Sequence, residues 1–159
     1  MTEYLEFASF FALVFVTAST GAIFAPGAWY ESLDKPSWTP PNWAFPVVWG
    51  TLYIMIAIAG WLVWTSEGFG LAIAFWGANL VFNAAWSWIM FGMKRIGLAL
   101  ADAILMLITI LGFIAAAWPV SQTAALLFLP YLAWVVTAIA LNYDVLRRNP
   151  NASAVAPGR

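Results

Sequence analysis

Charge is missing from most of this chain. Between Lys35 and Asp144 only Glu67, Lys94, Arg95 and Asp102 carry one, which leaves 36–66, 68–93 and 103–143 without formal charge. A helix that crosses a bilayer needs about 20 mainly apolar residues, because its backbone amides must be satisfied without water. A soluble domain of 159 residues could not hide so much apolar surface. The chain is expected to be an all-α, polytopic membrane protein.

Composition narrows the chemistry. With 64% hydrophobic residues and a mean hydropathy of +0.88, little mass is left outside the bilayer. A net charge of −1 argues against nucleic acid, which demands clustered cations. Cysteine and histidine are both absent. Disulfides, Cys/His zinc sites, thiol nucleophiles and the usual imidazole base are thereby excluded, and no metal site is expected. A haem iron would have only Met or Tyr to bind. The first charges, Glu3 and Glu6, are acidic, so the apolar run 7–25 reads as a retained span rather than a cleaved signal.

Breakers divide the chain into a bundle of five transmembrane helices, at about 5–25, 43–65, 71–91, 97–118 and 123–146. Pro26-Gly27 ends the first, and Glu31 to Pro36 with Pro40-Pro41 forms a loop of roughly 17–20 residues. Trp118-Pro119-Val120-Ser121-Gln122 splits the longest uncharged stretch. Residues 1–148 are read as one transmembrane domain and 149–159 as a disordered tail. With five spans, Lys35, Lys94, Arg95, Arg147, Arg148 and Arg159 all fall on one side. The positive-inside rule makes that side cytoplasmic, with the N-terminus outside and the C-terminus inside. Asp102 is expected near the cytoplasmic interface as a snorkelling or capped carboxylate.

Tryptophan in membrane proteins is usually interfacial, and Trp29, Trp61, Trp64, Trp76 and Trp118 sit near span ends. The others need a different explanation. In the third span Asn79, Asn83, Trp86, Ser87 and Met90 fall within about a 100° arc. The opposite face, with Ala74, Gly77, Ala78, Val81, Ala84 and Ala85, forms a small-residue seam suited to close helix contact and a homodimer. The second span carries Pro46, Trp49, Tyr53, Ile56 and Gly60 on one stripe; the fifth carries Tyr131, Trp134, Ala138, Asn142 and Val145. A pocket between such faces suits a large, flat, mostly apolar ligand held by a few polar contacts. Leu141, Tyr143 and Arg147 also fit the short, hypothesis-grade pattern proposed for cholesterol contact.

Four ordered blocks are recognisable. The run Trp29-Tyr30-Glu31-Ser32-Leu33-Asp34-Lys35-Pro36-Ser37-Trp38-Thr39-Pro40-Pro41 is followed by Phe45-Pro46-Val47-Val48-Trp49 with Tyr53. Phe82-Asn83-Ala84-Ala85-Trp86-Ser87 then leads to Phe91-Gly92-Met93-Lys94, and Pro130-Tyr131-Leu132-Ala133-Trp134 to Leu141-Asn142-Tyr143. Together they closely resemble the TspO/MBR family of tryptophan-rich sensory and translocator proteins, over nearly the whole chain. The resemblance implies a five-helix bundle, usually a homodimer, that binds porphyrins, sterols and drug-like molecules. It implies Trp38, Phe45, Trp49, Tyr53, Asn83, Trp86, Trp134, Ala138 and Asn142 around the ligand, beneath the first loop. It also places the segment near Tyr143 in a sterol-contact region.

Three functions compete. The chain could bind protoporphyrin IX or a related tetrapyrrole, or a sterol, to sense, transport or regulate it. It could degrade light-excited porphyrin, with Trp49 and Trp134 as photochemical participants. It could be a structural membrane subunit. No acid–base pair, metal site or activated nucleophile is visible, so no conventional catalytic residue and no obligatory cofactor is expected; a bound dye would supply any chemistry itself.

Overall fold

The computed structural model describes residues 2–152. Its elements are α1 (Thr2–Ile23), α2 (Ala28–Glu31), α3 (Ala44–Glu67), α4 (Leu71–Ser87), α5 (Ile96–Ala117), α6 (Gln122–Leu127) and α7 (Leu129–Arg148). No strand occurs among the described residues. Four stretches are long and apolar enough to cross a bilayer: α1, α3, α5 and the α6–α7 pair. The α-helical part of α4 is shorter, 17 residues, but runs on without a break into a π-helix at Trp88–Gly92. That turn is closed by Met93 N–H donating to Trp88 O at 2.8 Å.

The fifth expected helix is one rod in the sequence reading and two pieces in the structure. Pro130 has no N–H to give to the carbonyl four residues earlier, and the helix is interrupted at Phe128. Ser121 starts the first piece, its hydroxyl accepting from Ala124 N–H at 3.3 Å. The tail also departs from expectation at its start. Asn149 to Ala152 form a turn closed by Ala152 N–H on Asn149 O, and the rest of the expected tail lies outside the described residues.

Packing runs in a ring. α1 lies against α3 and α4, α4 against α5, α5 against α7, and α6 closes back onto α3. Phe113 and Phe128 stack at 3.9 Å in the larger core, among Ile56, Val63, Ile110 and Tyr131. A smaller core at the other end gathers Leu33, Ile89, Met90, Ile96, Leu141 and Val145. The outside is apolar: Phe15, Ile23, Ile54, Val81 and Ile108 are all exposed. That inversion suits a solvent of lipid and no other.

Trp76 is not an interfacial residue. It is buried in the larger core, and its indole N–H donates to Ile56 O at 2.9 Å. Gly60 makes this possible, because a Cβ there would lie 2.5 Å from the Trp76 ring. Asp102 does not snorkel into solvent. Its residue is 7% exposed and its Oδ2 has no hydrogen-bond partner among the described residues.

A candidate ligand cavity beneath the first loop

Between the two cores lies a cavity of about 630 Å³. Small-molecule sites are usually of this order. The first turns of α3 supply Phe45, Pro46, Trp49 and Tyr53. The end of α4 and the π-helix supply Asn83, Trp86, Ser87, Met90 and Phe91. A π turn inserts one residue into the helical register, and Met90 and Phe91 both reach the cavity. From α7 come Ala138, Leu141, Asn142 and Val145.

The aromatic walls are braced. Trp49 and Tyr53 stack at 5.4 Å with planes 28° apart. Trp86 meets Phe91 edge-on, and its N–H donates to Asn142 Oδ1 at 3.3 Å. Asn142 in turn donates to Ile96 O at 3.1 Å, which ties α4, α5 and α7 together at the cavity wall. Tyr53 Oη donates to Asn83 Oδ1 at 2.9 Å.

The roof is the segment between α1 and α3. Tyr30, Glu31 and Asn42 line the cavity from above. Lys35 Nζ holds the short helix α2 by donating to the carbonyls of Tyr30, Glu31 and Leu33 at 2.8, 3.2 and 3.3 Å. The same ammonium lies 4.8 Å from the Tyr30 ring centre, a cation–π contact. Burial, and secondarily the charge of Glu31, push the Tyr30 phenol above its ordinary range. Asp34 is fastened to the end of α7 through Asn149 and, at 3.6 Å, Arg148.

Of the residues expected around a ligand, Phe45, Trp49, Tyr53, Asn83, Trp86, Ala138 and Asn142 line this cavity. Trp38 does not. It belongs to the roof's outer edge, where its N–H donates to Asp144 Oδ2 at 3.2 Å. Trp134 does not either. It packs edge-on against Phe45 at 5.7 Å and faces a shallower groove with Val47, Thr51, Met55 and Pro130. Trp134 shares its helical face with Ala138 and Val145, but the cavity takes only residues 138–145 of α7, and Trp134 lies a turn nearer the start of the helix. The sterol-contact trio is divided by the turn of about 100° between successive helical residues: Leu141 lines the cavity, while Tyr143 and Arg147 are exposed on another face.

Two further stripes split. Tyr131, grouped with the fifth-span pocket face, is fully buried in the larger core. Asn79, grouped with Asn83, is 0% exposed and bonds Thr109 Oγ1 at 3.0 Å. Ala18, Gly21 and Ala22 of α1 and Met106 of α5 line the cavity unannounced. For α1 the signal was present, since small residues at i, i+3 and i+4 leave one helical face hollow. Nothing in the sequence singles out Met106.

Comparison with known proteins agrees with this architecture. The TspO/MBR family profile matches residues 10–148. The chain is 40% identical over 153 residues to protein CrtK of Rhodobacter capsulatus, covering 94% of this chain and 96% of that one. It is 40% identical over 149 residues to a tryptophan-rich sensory protein of Cereibacter sphaeroides, 94% of each. A translocator protein of Homo sapiens is 39% identical over 126 residues, 76% of this chain and 75% of its own. A match that takes in every spanning helix, together with the apolar exterior, makes this chain an integral membrane protein that belongs to the TspO/MBR family.

Proposed function

We propose that this protein binds a tetrapyrrole or a sterol in the cavity beneath the first loop and acts in sensing, transporting or regulating that ligand. The observation that carries the reading is the cavity itself: aromatic faces from Trp49, Tyr53, Trp86 and Phe91, few polar groups, and the first loop lying over it. A large flat ring system gains most of its affinity there from stacking and apolar burial. With no His or Cys in the chain, a porphyrin is held without those axial ligands. Titration of the detergent-solubilised protein with metal-free protoporphyrin IX tests this through quenching of tryptophan fluorescence. Unquenched emission at saturating porphyrin rejects the tetrapyrrole reading.

The protein is read as five spans, with α4 and its π-helix as the third. Parity supports this. Asp34 bonds Asn149, so the loop after α1 and the end of α7 share one end of the bundle. Four crossings between them return the chain to that end; three would not. That end carries Lys35, Lys94, Arg95, Arg147 and Arg148 and is assigned to the cytoplasm, with the N-terminus outside. The small-residue face of α4 is assigned to a homodimer contact. At Gly77 a Cβ would meet nothing within 4 Å, and Val81 is exposed.

A second reading is light-driven degradation of bound porphyrin, with Trp49 participating from within the cavity. Absorbance of the complex in the dark and under illumination, with dioxygen present, separates the two. Loss of the porphyrin band only in the light, and only with Trp49 intact, favours degradation.

A further inference from the structure

Five side chains connect the cavity to the middle of the larger core in one hydrogen-bonded chain. Tyr53 Oη donates to Asn83 Oδ1 (2.9 Å), Asn83 Nδ2 to Tyr131 Oη (2.7 Å) and Tyr131 Oη to Asn79 Oδ1 (3.1 Å). Asn79 Nδ2 donates to Thr109 Oγ1 (3.0 Å), and Thr109 Oγ1 donates to Met106 O (2.7 Å). Every donor points the same way, from the cavity inward. Hydroxyls and amides can each be turned round, so this common sense needs a cause.

The cause is the last acceptor. A backbone carbonyl can only accept. Thr109 therefore spends its single proton on Met106 O, and its oxygen can only accept in turn. The Asn79 group facing it must be the NH₂, which also lies 3.4 Å from Met106 O; a flipped amide would set oxygen against oxygen. Asn79 Oδ1 is then turned to Tyr131, which must donate. Tyr131 oxygen must accept, so Asn83 presents its NH₂ there and its oxygen to Tyr53. Tyr53 must donate inward, and its remaining lone pair is left to the cavity it lines.

We infer that Met106 O, acting through Asn79, Tyr131 and Asn83, fixes Tyr53 as a hydrogen-bond acceptor and selects apolar ring ligands that carry an O–H or N–H donor at that depth. This rests on the reading of the cavity as a ligand site. Carboxylates, which only accept when ionised, are turned away from Tyr53, so the acidic groups of a porphyrin stay toward the roof. Asn79 and Tyr131 are positioning residues, remote from the cavity; Asn83 and Tyr53 both line it, and Tyr53 is the one whose oxygen is left to accept.

The test uses the full chain in detergent, with cholesterol and its 3-methyl ether as probes, titrated calorimetrically. The ether keeps the acceptor and loses the donor. Cholesterol should bind about five- to tenfold more tightly. In Tyr53→Phe the two should bind alike. In Tyr131→Phe the Asn83 amide is free to flip and release the Tyr53 proton to the cavity, so the preference should vanish or invert although Tyr53 is intact. Asn79→Leu should act as Tyr131→Phe does. A preference that persists in Tyr53→Phe overturns the inference, because the donor is then read elsewhere. A preference lost in Tyr53→Phe but kept in both remote variants also overturns it, since the chain would not set the sense of Tyr53. Equal binding of both probes to the parent overturns the inference while leaving the cavity as a site for sterols. Binding of neither removes the sterol site and the inference together.

Discussion

Asn149 grips the backbone of Asp34 with both halves of its amide, accepting from Asp34 N–H at 3.0 Å and donating to Asp34 O at 2.8 Å. The side chain mimics a neighbouring strand and joins the roof of the cavity to the end of α7. Asn149→Ala removes both bonds, and net bonds of about 1 kcal/mol each set the scale. Amides of residues 28–43 should exchange roughly 5- to 30-fold faster with deuterated water. Those within the spans should not change. Equal exchange in the roof would mean that Arg148 and Trp38 hold it alone.

Trp49 lines the cavity and Trp134 does not. Trp49→Phe should weaken protoporphyrin binding by about 1–2 kcal/mol, roughly 5- to 30-fold. Trp134→Phe should stay within about twofold of the parent. Matching losses in both variants would place the ligand across the Phe45–Trp134 contact and not inside the cavity described.

Tyr30 carries a raised pKa because burial opposes its phenolate, with Glu31 adding to the effect. A group whose folded pKa is raised keeps its full contribution below the unfolded value, about 10 for Tyr. Above that pH the unfolded chain ionises first and binds fewer protons, so stability is lost as pH rises through the folded value. Thermal unfolding of the parent should therefore fall relative to Tyr30→Phe only above about pH 10. A constant difference from pH 7 upward would show that the hydroxyl acts through something other than ionisation.

Bulk on the outer face of α4 should weaken dimerisation. Ala78→Phe and Ala84→Phe block close backbone approach, and either should shift sedimentation in detergent toward the monomer while helicity is kept. Unchanged sedimentation for both would assign the seam to lipid contact.

Topology can be read with single cysteines, since the chain has none of its own. Ser66→Cys and Asn151→Cys, both at exposed positions, should react with an impermeant thiol reagent from opposite faces of sealed vesicles. Reaction from the same face would remove α4 from the count of spans.

Much of the architecture was readable in one dimension because lipid imposes one-dimensional rules. Length without charge marks a span, and Pro-Gly or a Ser cap marks its end; α3 and α5 fall within a residue or two of where those signals put them. Trp49, Tyr53, Asn83 and Trp86 are polar or aromatic groups on helical stripes in hydrocarbon, so they too stood out. Pro130 was equally visible, but whether it kinks a helix or interrupts it depends on what packs alongside.

The sequence by itself determined that this chain must be a bundle in a membrane, which helical faces are polar or aromatic, and which chemistries it lacks. The tertiary structure decided how each stripe is shared out. Asn79 and Asn83 lie one helical turn apart, yet Asn79 is sealed in the core and Asn83 meets the cavity. Trp76 looked like a surface residue until Gly60 of another helix made room for it. Trp134 shares a face of α7 with Ala138 and Val145 but lies at another level of the bundle, against Phe45. Periodicity fixes the angle of a side chain about its own axis, whereas burial depends on where the neighbouring axes lie, and those are set by contacts between residues far apart in the chain.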